Sequence, residues 1–251
     1  MNIVFITDSH AHPDHDNSRA DLLGKFLLEL RPDVVIHGGD SADMPSLCSY
    51  DKGKRVFQGR NYRKDIDSHL DFTDRMWFPW KKSKKRLPLR IFLEGNHENR
   101  IKKAINISPE LDGAISFSDL KLEDYYNEII EYTGSTPGTY THSNISFAHY
   151  FVSGVMGRPI GGEHHGYSLI TKTFGSSVCG HSHLLDYSVR TDNHGSKLMG
   201  LVGGCFQDYE ADWAGECNKL WWRGLTVLRN AEAGSFDPEF VSLQRLRKEY
   251  T

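Results

Sequence analysis

The chain opens on a short apolar, β-branched run, NIVFIT (2–7), bounded by polar residues, which reads as a buried strand. Apolar positions then move to helical spacing at Leu22, Leu23, Phe26, Leu27 and Leu30, predicting a helix over 18–30 that Arg31-Pro32 closes. DVVIHGGD (33–40) is a second buried strand, and the polar, glycine-rich residues 41–60 read as loop. Ile66, Leu70, Thr73 and Trp77 share one face of a helix over 62–78, with Pro79 as its stop, and PLRIFLEG (88–95) is a third strand. Helical segments are expected near 98–106 and 118–132. Beyond Gly134 the pattern shortens into strands at 144–150, 176–181, 185–191, 196–204, 223–230 and 239–246. An α/β first half followed by a mostly β second half, without repeat or linker, predicts one mixed α/β domain over 1–251.

Composition narrows the class. Hydrophobic residues make up 38% of the chain and charged residues 25%, as in an ordinary folded protein. No apolar run reaches the roughly 18 residues of a membrane span, and MNIVFITDSH lacks the basic start of a signal peptide. Cys48, Cys179, Cys205 and Cys217 are scattered and form no C-x-x-C, so neither a disulfide framework nor a structural zinc site is expected. A reducing, cytoplasmic location fits that usage. The net charge of −3 hides an asymmetry: residues 52–103 carry 16 Lys+Arg against 6 Asp+Glu. This basic region, an insertion around 50–88 running on to Lys103, suggests a phosphate-bearing substrate or nucleic acid, against the plainer reading of a solvated surface.

Candidate chemistry sits where the strands end. The first strand leads to Asp8 and His10, the second to Gly39-Asp40 with Asp43 beyond, and the third to Gly95-Asn96-His97-Glu98. Later strands lead to His149 and to Gly180-His181-Ser182-His183. Carboxylates, imidazoles and one amide oxygen form the mixed donor set that borderline divalent transition ions take. There are enough donors for two ions, and a pair about 3.5–4 Å apart can clamp a phosphoryl group and activate water.

The order D-x-H, G-D, G-N-H-E, H, G-H-x-H over residues 8–183 resembles the calcineurin-like metallophosphoesterase superfamily. The resemblance implies two packed mixed β-sheets flanked by helices, with a dinuclear site at the strand ends. It implies Asp8, His10 and His183 on one ion, Asn96, His149 and His181 on the other, and Asp40 bridging. His142, His164 and His165 are rivals for the place of His149. It leaves His97 as general acid or charge stabiliser, oriented by Asp43, with Glu98 supporting the shell. His12 and Arg100 are candidates for substrate contact. The two ions would be manganese first, with iron, zinc or nickel as alternatives. Unlike the phosphoprotein phosphatases, whose motif continues Arg-Gly, Asp43 is followed by Met44-Pro45, and their substrate-gripping arginines have no evident match.

The expected function is a dinuclear-metal phosphodiesterase on nucleotide or nucleic-acid substrates. A phosphomonoesterase or protein serine/threonine phosphatase is the first alternative, and a nucleic-acid-binding module with a vestigial metal site the second. A TIM-barrel amidohydrolase reading of H-x-H would need eight βα repeats, which the strand-rich second half does not supply. Trp213, Trp221 and Trp222 are expected to pack in the core, His37 to pack at a strand end and Cys179 to be a small buried hydrophobe.

Overall fold

Ile3, Val4, Phe5 and Ile6 are all buried, which a strand permits only when both of its faces are covered. The computed structural model describes residues 1–251. In chain order the elements are β1 (Ile3–Ile6), α1 (Arg19–Leu30), β2 (Val34–His37), α2 (Tyr62–Ser83), β3 (Leu89–Leu93), α3 (Asn99–Ile107) and β4 (Glu128–Ile130). The second half adds β5 (Tyr140–His142), β6 (Ile145–Ala148), β7 (Val152–Ser153), β8 (Arg158–Pro159), α4 (His165–Thr173) and β9 (Ser176–Cys179). It closes with β10 (Leu185–Thr191), β11 (Lys197–Gly203), β12 (Gly224–Glu232), β13 (Ser235–Ser242) and α5 (Leu243–Tyr250).

A six-stranded sheet runs β13-β12-β1-β2-β3-β4 and a five-stranded sheet runs β10-β11-β9-β6-β5. Strands β1 to β4 are mutually parallel, and β12 meets β1 antiparallel. In the second sheet β6, β9 and β11 are parallel, with β5 and β10 antiparallel at the edges. Alternation along β1 divides its side chains between two cores. Val4 and Ile6 join Leu23, Leu27, Phe72 and Met76 under the helices, while Ile3 and Phe5 meet Phe147, Val178 and Leu201 between the sheets. Leu169 of α4 covers the outer face of the second sheet against Cys179 and Val202. The architecture is therefore helices, sheet, sheet, helix, and no helix is long and apolar enough to cross a membrane.

Three elements differ from the sequence expectation. α2 does not stop at Pro79 but runs through it to Ser83. Trp77 and Trp80 are both buried in the helix-side core; burying about 200 Å² of indole is worth about 5 kcal/mol, more than the roughly 3 kcal/mol that an internal proline costs. The helix expected over 118–132 is two short 3-10 turns, Phe117–Leu120 and Leu122–Asp124, broken by the left-handed backbone of Lys121, followed by β4. The apolar spacing there serves Leu120, Leu122 and Tyr126 in the core without a continuous helix. The strand expected over 239–246 ends at Ser242, whose hydroxyl accepts from the Arg245 amide and starts α5. α4 and the short strands β5, β7 and β8 carried no expectation.

Candidate metal centre

β1 and β2 leave the sheet side by side, and their exits stay zipped: the amides of Asp8, His10 and Ala11 donate to the carbonyls of Gly39, Asp40 and Ser41. That parallel exit sets the D-x-H pair against Asp40. β6 and β9 do the same from the second sheet, with the Gly180 amide bonded to the His149 carbonyl. The two sheets thus deliver their polar ends to one place.

Asp8 Oδ1 lies 3.2 Å from His183 Nε2, which lies 3.2 Å from His10 Nε2. On the other side His149 Nε2 lies 2.9 Å from Asn96 Oδ1 and 3.2 Å from His181 Nδ1. Asp40 Oδ2 stands between the groups, 3.4 Å from His149 Nε2, 3.7 Å from His97 Nε2 and 3.9 Å from His10 Nε2. Asp8, His10 and His183 could hold one ion, and Asp40, His149 and His181 a second. All seven residues expected as ligands are brought together. Of the rivals, His142 stacks on Tyr140, His165 packs beside Ser182 and Cys179, and His164 is exposed at the start of α4; His149 alone reaches the centre.

The donor set fits cations. Asp8 Oδ1 is buried and accepts no hydrogen bond. Twice, two imidazole nitrogens face each other at 3.2 Å, an arrangement that a shared cation or proton must mediate. Without metal, protons take that place. Burial alone would lower His10, but Asp43, Asp8 and Asp40 outweigh it and hold the imidazole at about 10. His149 is likewise held at about 9 against burial by Asp40 and Asp8. Asp40 stays well below the usual carboxylate range, because the surrounding imidazoles outweigh its burial. His181, buried beside His149, is pushed down to about 4.

Backbone strain marks the same residues. Asp8, His10, Asp40, His181 and His183 all have positive φ, between 45° and 69°, a conformation that costs non-glycine residues about 1–3 kcal/mol each. In D-x-H and H-x-H it turns both side chains of the pair toward the cleft. The glycines of the motifs serve close approach instead. A Cβ on Gly95 would collide with Asp40 Oδ1, and one on Gly180 would collide with the Thr7 hydroxyl and Asp8 Oδ2.

Supporting contacts surround the centre. Glu98 is fully buried and accepts from the amides of Asp40, Ala42 and Gly95 at 3.0, 2.9 and 2.9 Å. Burial and the nearby Asp40 raise its carboxyl to about 7. Asp43 Oδ1 is shared between His10 Nδ1 at 3.0 Å and His97 Nδ1 at 3.1 Å, while the Asp43 carbonyl accepts from His97 Nδ1 at 2.6 Å. Asp43 therefore orients His10 as much as His97. Arg100 donates to His97 Nε2 at 3.0 Å and to the Asp43 carbonyl at 2.8 Å. Burial and Arg100 lower His97, leaving its Nε2 lone pair facing the guanidinium.

A groove of about 890 Å³ adjoins the centre, lined by His10, His97, Asp43, His12 and Arg100 and walled by the 48–61 and 207–213 loops. Sequence reading missed Arg19, which is buried and joins the carbonyls of Ser9 and Phe206 at 2.8 and 3.1 Å and the carboxylate of Asp208 at 3.2 Å. An arginine one residue into a helix gave no signal of that role. The tryptophans also depart from expectation. Trp213 is 78% exposed on the groove's lip, and Trp221 packs edge-on against His183 at 4.3 Å. His37 does pack at its strand end, bonded to Ser9 and stacked on Phe92, and Cys179 is buried.

The basic block does not form one surface. Lys54, Arg60 and Lys64 line the groove, but Lys81–Arg86 lie at the other end of α2, about 33 Å away by helix length. Asp67, Asp71 and Asp74 stand exposed between them.

No curated protein matches the chain. It is similar to the structures of an archaeal phosphodiesterase (12% identity, 96% of this chain and 100% of that one, TM-score 0.42) and of Yfce, a phosphoesterase from E. coli (11%, 97% and 100%, 0.41). A dimetal phosphatase from Danio rerio is similar at 14% identity, over 97% of this chain and 99% of that one, with a TM-score of 0.40. The sequence model of the calcineurin-like phosphoesterases matches residues 1–224. Those residues include every strand end that meets at Asp40, and the chain belongs to that family of metal-dependent phosphoester hydrolases.

Proposed function

We propose that the protein is a dinuclear-metal phosphodiesterase acting on nucleotide or nucleic-acid substrates. The observation that carries the reading is the position of Asp40 Oδ2, within 3.4–3.9 Å of imidazole nitrogens from both ligand groups. Asp8, His10 and His183 would hold one cation, Asn96, His149 and His181 the other, and Asp40 both. Two divalent cations bound there, manganese foremost, would supply the Lewis acidity that polarises a phosphoryl group and makes water nucleophilic near neutral pH.

The chain's own groups do the rest. Arg100 turns from His97 Nε2 to a phosphoryl oxygen, which replaces a neutral acceptor with a charged one and strengthens the bond. Relieved of the guanidinium, His97 takes up a proton at Nε2 and gives it to the leaving alkoxide, with Asp43 stabilising the imidazolium at Nδ1. Asp43 also fixes the ring of His10, and Glu98 ties the Gly95 and Asp40 backbones together, so that ligands from two loops keep one spacing. A walled groove of this size beside the centre leaves room for a second organic arm, which supports a diester over a monoester.

Hydrolysis of bis-p-nitrophenyl phosphate beside p-nitrophenyl phosphate, with added Mn²⁺, tests the reading. Diester cleavage is expected, abolished by a chelator and strongly reduced in His97→Ala. Cleavage of the monoester alone would replace the reading with a phosphomonoesterase.

A further inference from the structure

We infer that the 207–221 segment builds a nucleobase subsite beside the metal centre, so that one arm of the substrate is a nucleoside and the whole is of nucleotide size. The inference rests on the phosphodiesterase reading and adds what the second arm is. Trp213 presents its indole to solvent at the lip of the groove, 78% exposed. It is one ring removed from the metal centre: Trp213 lies 5.8 Å from Trp221, and Trp221 lies edge-on to the candidate ligand His183.

The exposure is built, not the accident of a slack loop. Asn218 is buried, and its side chain accepts from the Ala211 amide at 3.0 Å and donates to the carbonyls of Ala211 and Gly215 at 2.9 Å each. Those three bonds hold the turn that carries Trp213. At the base of the same wall Tyr209 donates to the His10 carbonyl at 2.9 Å and stacks on His15 at 3.7 Å with planes 8° apart. An exposed aromatic face on a fixed backbone is a stacking platform for a planar group. Glu210 and Asp212, flanking the platform and lining the groove, can accept hydrogen bonds from the N–H edge of a base.

Charge sets the size. Arg60 in the opposite wall is paired with Asp51 at 2.8 Å, Lys54 lies 3.7 Å from the same carboxylate, and Glu210 and Asp212 face them across the groove. Of the cations in that wall only Lys64 stands outside these pairs, so successive phosphates of a polynucleotide would meet carboxylates and one lysine there instead of the run of free cations that tracks a nucleic-acid backbone. The metal centre and Arg100 can receive one phosphate, and the wall one base.

Calorimetric binding of guanosine 5′-monophosphate and of methyl phosphate to the Mn²⁺-loaded protein tests this directly. The nucleotide is expected to bind about ten-fold more tightly than methyl phosphate, as one stacked base contributes. Trp213→Ala should remove that advantage and Trp213→Phe should keep most of it. An advantage unchanged in Trp213→Ala, no advantage in the wild type, or a blocked oligonucleotide binding more tightly than the mononucleotide would overturn the proposal. Hydrolysis of guanosine 5′-p-nitrophenyl phosphate separates the two readings. Base-dependent binding without cleavage of that diester would keep the subsite and remove the phosphodiesterase.

Discussion

The two ends of the parallel strands β1 to β3 treat charge and backbone strain in opposite ways. At the carboxyl end, Asp8, His10 and Asp40 are buried in left-handed backbone, their charges balanced by one another and by Asp43, His149 and His183 around them. At the amino end, Lys82, Lys84, Lys85 and Arg86 are exposed, and Lys84 takes the left-handed conformation merely to cap α2. Similar strain therefore has different causes. At Lys84 any residue tolerating positive φ would do, and glycine best. At Asp8 and His183 glycine would relax the chain and delete the donor. Where strain coincides with buried, converging donors, it belongs to the chemistry.

The largest test of this contrast is Asp40→Asn. Loss of the carboxylate proposed to bridge the two cations should lower Mn²⁺-dependent diester hydrolysis by at least about a hundredfold, since even groups behind metal ligands cost ten- to a hundredfold. Charge reversal of Lys84, Lys85 and Arg86 together should leave kcat/KM for a small diester within about two-fold. A comparable loss from both changes would break the distinction between the ends.

Metal affinity should depend steeply on pH. His10, held at about 10, and His149, at about 9, carry protons at pH 7 that ligation must expel. Loading both ions should therefore release about two protons, one per ion, and each affinity should weaken by up to about tenfold per pH unit as the solution is acidified below 9. Calorimetry in two buffers of different ionisation enthalpy measures the release; none would mean that the imidazoles are already bare.

A stability effect follows at His69, buried between the Ser41 hydroxyl and the Leu120 carbonyl. Burial depresses its imidazole to about 4. The folded state thus favours the neutral ring, so stability is full above pH 6.5 and is lost as pH falls toward 4, by about 3 kcal/mol from this group. Denaturant unfolding should show a shallower acid loss in His69→Gln; equal slopes would assign the loss elsewhere. The smallest change is expected at Lys84→Gly, which should stabilise the fold by about 0.5–1 kcal/mol without touching activity.

Strands β1 to β3 and the polar groups at their ends are legible because each is a local signal, an apolar run followed by polar residues, whereas the set of seven candidate ligands rests on the family resemblance, with His149 standing alone among rivals. Pro79 was misread because a rule for isolated helices ignores what Trp80 gains in the core. The 118–132 segment has helical spacing for its buried residues, and only the backbone at Lys121 tells turn from helix. Arg19, Trp213 and the dispersal of the basic block could not be read at all. Each depends on which distant segment lies opposite, and the 22 residues of α2 separate two groups of lysines that composition had merged.

The place of β1 in the first sheet also has a consequence for synthesis. Its neighbours are β2, made next, and β12, made more than two hundred residues later. Until residue 228 leaves the ribosome, Ile3, Val4 and Phe5 have an open backbone edge that invites pairing with other chains. The nascent protein should therefore depend on chaperone shielding for most of its translation, and chains stopped before β12 should aggregate.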